Sequence, residues 1–281
     1  MDIIDTAAMP WGENLAAQRA GGMAHKRLFE GEEGSPDNYL LVMAREGSDY
    51  FSPRHRHPWD QVRYCLEGAI PIAKGLKVEA GEIAYFPESA PYGPQEGGPD
   101  RITFLLQFGG ASGQGFLSVG QMKRAREEMA RFGRFEQGVF KRTSGEGRAN
   151  QDAYEAIWQH VTGRPLAYAE PAFKAPMVMR PAGFAWKDVA GEPGVDRKTV
   201  GVFPGRGLEI SFLSLDPGAR HDLAPSPALR FIFVCEGAGS FDDQPFAAQT
   251  VMRLHPGESS ATTAQDKTIL LMLSVLPVGP A

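Results

Sequence analysis

One pattern of segments runs through this chain twice. QVRYCLEGAI, from Gln61, matches RFIFVCEGAG, from Arg230, and each closes a strand-like run on a glycine, Gly68 or Gly237. EIAYFPESAPYG, from Glu82, matches TVMRLHPGESSAT, from Thr250. Upstream, HKRLFEGEEGSPDNYLLVMAREGSDYFSPRHRH, from His25, is paralleled by WKDVAGEPGVDRKTVGVFPGRGLEISFLSLDPGARHDL, from Trp186, with different loop lengths. Segments kept in one order across both halves mark an internal duplication. Thirty-three glycines and 22 prolines, spread between short apolar runs, punctuate strands rather than helices. The first copy predicts strands at 23–29, 39–44, 61–67, 81–86 and 101–108. Between the copies the pattern turns helical. Ser118 can cap a helix reaching about residue 132, and Asn150 or Asp152 opens a second that ends before Gly163 and Pro165. The expectation is an all-β duplication with a short helical connector.

A net charge of −5 offers no positive field for nucleic acid or an anionic membrane, so neither is expected as a partner. The basic cluster Lys123, Arg124 and Arg126 is followed at once by Glu127 and Glu128 and reads as a solvated helix face. No run reaches the roughly 18 apolar residues of a membrane span. The amino-terminal MDIIDTAAMPWG lacks the basic and apolar regions of a signal peptide, which predicts a cytoplasmic protein. The two cysteines, Cys65 and Cys235, fall at different repeat positions on opposite strand faces, poor geometry for a disulfide.

The chemistry concentrates in PRHRHPWDQVRY, from Pro53. His55 and His57 stand two apart, so on an extended strand both imidazoles face one way. Two neutral imidazoles can bind a first-row divalent ion, and imidazole suits iron, nickel, copper and zinc alike. The other reading makes them polar lining groups held by hydrogen bonds. Gln61, Arg63 and Cys65 share one strand face, and Val62, Tyr64 and Leu66 share the other. Arg63 therefore points inward, where a guanidinium is costly unless paired. It is either an anchor for an anionic ligand group, most simply a carboxylate, or a partner for Glu67, Glu82 or Glu88. Tyr85 and Gln107 line the same space if their strands keep phase. Trp59 reads as a structural lid over the barrel end. The apolar outer face of Val62, Tyr64 and Leu66 needs a cover, from the other half or from a second subunit, and a homodimer is expected.

These residues resemble the cupin superfamily, whose small barrels carry G-x5-H-x-H-x3-4-E-x6-G and G-x5-P-x-G-x2-H. His55 and His57 fit, Gln61 falls where glutamate is usual, and Gly68 follows at the family spacing. Asp49 replaces the opening glycine. Gly81 and Pro87 match the second motif, Ser89 replaces its second glycine, and Tyr92 stands in the place of the third histidine. With the duplication, the chain resembles a bicupin: two tandem jelly-roll-like cupin β-barrels joined by a helical connector. The expected domains are an arm at 1–20, a first barrel at 21–112, a connector at 113–165 and a second barrel at 166–281. HRHPWDQVRY is also similar to the H-x-H…A-L-R-F pattern of gentisate-type ring-cleaving dioxygenases, where an arginine at the Arg63 position meets the substrate carboxylate. Tyr92 departs from their three-histidine site.

The resemblance implies a divalent transition metal (Fe, Ni, Mn, Cu or Zn) held by His55, His57, Gln61 and Tyr92. Gln61 would donate a neutral carbonyl oxygen, weaker than a carboxylate. Tyr92 would ligate as a phenolate once the metal displaces its proton. Arg63 and Tyr92 are the candidate catalytic residues. The implied function is metal-assisted oxygenation or isomerisation of a small carboxylated, in one version aromatic, molecule. The alternative is a binding protein that has lost its metal. The second barrel reads as empty of metal: Arg230 takes the place of Gln61, Ala224 and Ser226 those of His55 and His57, and Ser260 that of Tyr92. His221 and His255 lie nearby without ligand spacing.

Overall fold

The computed structural model describes residues 1–15 and 22–278. Residues 16–20 of the expected amino-terminal arm, and 279–281 at the end of the second barrel, lie outside them. The chain divides into two compact units, Trp11–Val178 and a second made of Met1–Pro10 with Met179–Ala281. Among the described residues no helix is long and apolar enough to cross a membrane.

The Trp11–Val178 unit is built on a six-stranded sheet. Its order is Met177–Met179, Ile83–Phe86, Trp59–Glu67, Arg101–Gly109, Tyr39–Glu46, Met23–Glu30. Registers through the central strands are antiparallel: Gln61 lies opposite Phe86 and Gln107, and Gln107 lies opposite Leu40. Gln61, Phe86, Gln107 and Leu40 therefore form one row across the sheet, and Arg63, Ala84, Leu105 and Val42 form the next. Three smaller sheets join it among the described residues: Phe51–Ser52 with Gln95–Glu96, Ala69–Ala73 with Leu76–Glu79, and Gly133–Glu136 with Val139–Arg142 and Asn150–Asp152. At its base Cys65, Ile70, Ile72, Val78, Ala84 and Phe86 pack around the Tyr92 ring.

The second unit repeats this plan. Its sheet runs Asp2–Asp5, Thr250–Leu254, Leu229–Glu236, Thr268–Val275, Leu208–Leu215, Val195–Phe203, Lys187–Asp188. The five middle strands hold the same order as their sequence counterparts. The row Leu254, Arg230, Ser274, Glu209 reproduces Phe86, Gln61, Gln107, Leu40. Gly68 (φ +75°) and Gly237 (φ +88°) show why the repeat keeps a glycine there. A Cβ on either would meet the backbone of the strand opening at Arg101 or Thr268 at 3 Å or less. The interior is apolar, with Leu213, Ile232, Val234, Phe241, Met252 and Leu270 among its buried residues. His221 is buried against Glu192. Neither cysteine forms a disulfide.

Edge strands differ from the sequence plan. Asp2–Asp5, expected in a free arm, pairs with Thr250–Leu254 and belongs to the second unit. The edge strand beside Ile83–Phe86 comes from residues after 165. Each closes an edge that would otherwise present unpaired backbone groups.

The helices belong to the first unit and serve as more than a connector. Helix α1, Val119–Met129, starts on a Ser118 capping box with Gln121. Helix α2, Ala153–Thr162, is capped by Asp152 through the Tyr154 and Glu155 amides and ends on left-handed Gly163. Their buried faces, including Met122, Ala125, Met129, Tyr154, Ile157 and Trp158, join Leu40, Val42, Trp59 and Leu105 in one apolar cluster. The helices thus pack against the barrel's inward face.

Candidate metal and anion site

The strand Trp59–Glu67 carries Gln61 and Arg63 inward. The segment before it brings His55 opposite Tyr92 through two backbone hydrogen bonds of 2.9 and 3.0 Å. Tyr92 Oη is where these side chains meet. His55 Nε2 lies 3.0 Å away, His57 Nε2 2.9 Å, Gln61 Nε2 3.2 Å and an Arg63 terminal nitrogen 3.1 Å. All four predicted site residues and Arg63 therefore converge on one point. His57, Gln61, Arg63 and Tyr92 are buried, and His55 is half-buried.

Arg63 makes none of the ion pairs proposed from sequence. It donates to Gln61 Oε1 (3.2 Å), Gln95 Oε1 (3.3 Å) and Tyr92 Oη, all neutral acceptors, and stacks over the Phe86 ring at 4.8 Å. Its Nε is buried without an acceptor. Burial pushes its pKa down, but the negative ends of Tyr92, Glu46 and Tyr50 outweigh that and hold it above the ordinary arginine value. Among the described residues no carboxylate is hydrogen-bonded to the buried Arg63 cation, which lines a cavity of about 80 Å³. A buried charge left this way wants an anion.

The cavity reaches beyond the predicted residues. Leu40, Val42 and Leu105 line its apolar wall, with Phe116, Met122 and Tyr154 contributed by the helical region. Gln107 lines it as expected and donates to Gln61 Oε1 at 3.3 Å. Tyr85 does not: Phe86 and Ala84 take the inward positions opposite Gln61 and Arg63, so Tyr85 turns to the other face and donates to Asp60 at 3.0 Å. Trp59 lies within the strand rather than a turn, lines the cavity and stacks on His57 with centroids 4.0 Å apart. On the outer face Val62 is buried, and Tyr64 and Leu66 are half-buried.

His25, Glu46 and Tyr50 also line the cavity, and sequence reasoning missed them. Glu46 is held by buried Arg101 at 2.5 Å. It sits on the same strand face as Leu40 and Val42, so strand alternation alone placed it inward. His25 Nδ1 accepts from the Leu15 amide at 3.1 Å. Burial holds its pKa below the usual histidine value, against opposing contributions from the Glu13 backbone and Glu46. Gln95 had no signal, since its place depends on a two-residue strand formed only in the fold.

The residues present fit a divalent ion in part. His55 Nδ1 lies 2.6 Å from the Pro53 carbonyl, which only accepts, so the proton sits there and the Nε2 lone pair faces Tyr92. Neighbouring ligands at right angles, each ~2.1 Å from an ion, stand about 3 Å apart. The separations from Tyr92 Oη to the two imidazoles match that spacing. His55 and His57 thus each stand at a ligand-like separation from Tyr92. Gln61 differs from its expected part. Its carbonyl oxygen faces Arg63 and Gln107, and its amide nitrogen faces Tyr92. Turning the amide over would set its NH2 against two donors. Among the described residues no group of three or more His, Cys, Asp or Glu can hold an ion, and the two imidazoles here face a phenol instead of a third such group.

No family model matches the chain, and no curated protein matches it in sequence. Its architecture does match solved structures. A proposed dioxygenase from Nostoc punctiforme superposes with a TM-score of 0.64 over 100% of this chain and 84% of its own, at 9% identity. A proposed glyoxylate-induced protein from Pseudomonas aeruginosa gives 0.59 over 98% and 88%, also at 9% identity. Oxalate decarboxylase from Bacillus subtilis gives 0.54 over 98% and 75%, at 12% identity. The dioxygenase and the decarboxylase are both bicupins. The fold is therefore the all-β two-barrel cupin fold expected from the motifs, with one barrel following the other in sequence.

Proposed function

We propose that the first barrel is a metal-dependent cupin centre acting on a small carboxylated molecule. The observation that carries this reading is Arg63, a buried cation without a carboxylate partner, bonded to the same Tyr92 oxygen that faces His55 and His57. His55, His57 and Tyr92 would hold a first-row divalent ion, and a bound ion would supply Lewis acidity or oxygen activation for isomerisation or oxygenation. Arg63 donates to the Tyr92 oxygen and offers further donor capacity to a ligand carboxylate. Gln61 orients Arg63 and Tyr92 through its two amide ends. The apolar wall and the helices exclude water from the ligand. The dioxygenase and oxalate decarboxylase among the similar structures support an enzyme of this class. A cytoplasmic homodimer stays part of the same reading.

A second reading, a binding protein without metal, draws on Gln61: its carbonyl is already bonded, and the hydrogen-bond network closes on Tyr92 without an ion. Elemental analysis of protein purified without chelator separates the two. Close to one metal per chain, lost in His57→Ala, supports the enzyme. Less than about a tenth of a metal per chain, with no uptake on addition, leaves the binding protein.

A further inference from the structure

The second barrel holds a polar centre of its own, at the position equivalent to the first barrel's site. In the register rows Arg230 replaces Gln61 and Ile232 replaces Arg63. The guanidinium has moved one row along the strand rather than disappeared. Arg230 shares its strand face with Ile232 and Val234, both in the barrel core, so it points inward; only 6% of it is exposed. Its single hydrogen bond runs from a terminal nitrogen to the Glu258 backbone carbonyl at 2.6 Å. The Glu258 carboxylate is turned elsewhere, to the amino group of Met1 (2.6 Å) and the His255 amide (2.8 Å). Glu209, the carboxylate on Arg230's own row, is taken by Arg197. Arg230 Nε is buried with no acceptor.

Two hydroxyls share this condition. Ser260, the counterpart of Tyr92, and Thr262 alternate with Ala264 on the strand face that joins the core. Ser260 Oγ and Thr262 Oγ1 are buried and have no partner. Ser260 follows Glu258 by two residues, on the same chain segment whose carbonyl the guanidinium bonds. Natural interiors rarely leave one such group unmatched, and here a cation and two hydroxyls are unmatched together.

We propose that the second barrel binds a small oxyanion, a carboxylate, between the Arg230 guanidinium and the hydroxyls of Ser260 and Thr262. A guanidinium fork and two hydroxyl donors match the two oxygens of a carboxylate. With no imidazole pair at this position, the site takes the anion without a metal. The desolvation that lowers the Arg230 pKa is relieved when the anion arrives. This site stands independently of the reading given to the first barrel.

The test uses the full chain carrying Arg63→Leu, so that the first barrel's arginine contributes nothing. Formate and acetate are titrated against phosphate and chloride, with thermal stability and the line width of 13C-formate as readouts. A saturable gain with formate or acetate, weakened at least tenfold by Arg230→Met, supports the site. The Ser260→Ala, Thr262→Val double variant keeps the charge and should weaken binding severalfold, and it decides the question if Arg230→Met does not fold. A response no different from chloride overturns the proposal, as does carboxylate binding unchanged in either variant. Saturation by phosphate alone overturns the assignment to a carboxylate.

Discussion

At the scale of single residues, the proposed anion site turns on Arg63. Its three hydrogen bonds go to neutral oxygens, so replacing it breaks no ion pair. Arg63→Leu is expected to weaken binding of a carboxylated ligand by about 10–100-fold, corresponding to the ~1.5–3 kcal/mol of a hydrogen bond to a charged group. Metal content should stay unchanged; calorimetric titration and elemental analysis on the same preparation check both. His25 carries a pH dependence. Its folded pKa lies below the ordinary histidine value of about 6.5 because burial penalises the imidazolium. The unfolded chain therefore binds more protons as pH falls below about 6.5. The stability from neutral, buried His25 is fully present above that pH and is lost progressively toward the lower folded pKa. Urea unfolding between pH 7 and 5 should show that slope, and His25→Asn should flatten it. The strand periodicity of Gln61 and Arg63 was legible, because alternation needs only neighbours in sequence. The orientation of the Gln61 amide was not, because it depends on Gln107 and Arg63 meeting from two strands.

At the scale of elements, the helices matter most. They read in sequence as a linker, and their caps were legible as Ser118 and Asp152. Their destination was not, since a buried helix face does not name its partner. Tyr154 on α2 comes within 4.3 Å of the Trp59 ring and lines the cavity. Burial raises its phenol pKa well above the usual value, so it stays a neutral wall. Asp152→Ala removes two capping bonds and should cost about 1 kcal/mol of stability. Because the same cap holds the turn bearing Tyr154, ligand affinity should fall with it, measurable by thermal melts with and without ligand. Strand edges were the other surprise: a short run such as Asp2–Asp5 carries too little pattern to announce its pairing, and the open edge beside Thr250–Leu254 supplied it.

At the scale of the whole molecule, two copies of one barrel have diverged in what they enclose. The first keeps two imidazoles, a phenol and a guanidinium around Tyr92 Oη; the second keeps Arg230 and two hydroxyls above an apolar interior. If the proposed metal centre is right, the metal stoichiometry should be one per chain, not two, and should fall to near zero in His55→Ala, His57→Ala while variants at Arg230 leave it unchanged. Mass spectrometry of the native chain with added manganese or iron reads this directly. From sequence alone came the duplication, the main strand segments, the inward face of Gln61 and Arg63, and the segments holding His55, His57 and Tyr92. All of these rest on local periodicity and on one pattern written twice. Folding alone decided which atoms meet: that four nitrogens gather on one phenol oxygen, that Arg63 has no carboxylate, that the helices wall the cavity and that the chain's first residues close the second sheet. Those outcomes depend on distances between segments far apart in sequence, which packing sets and periodicity does not encode.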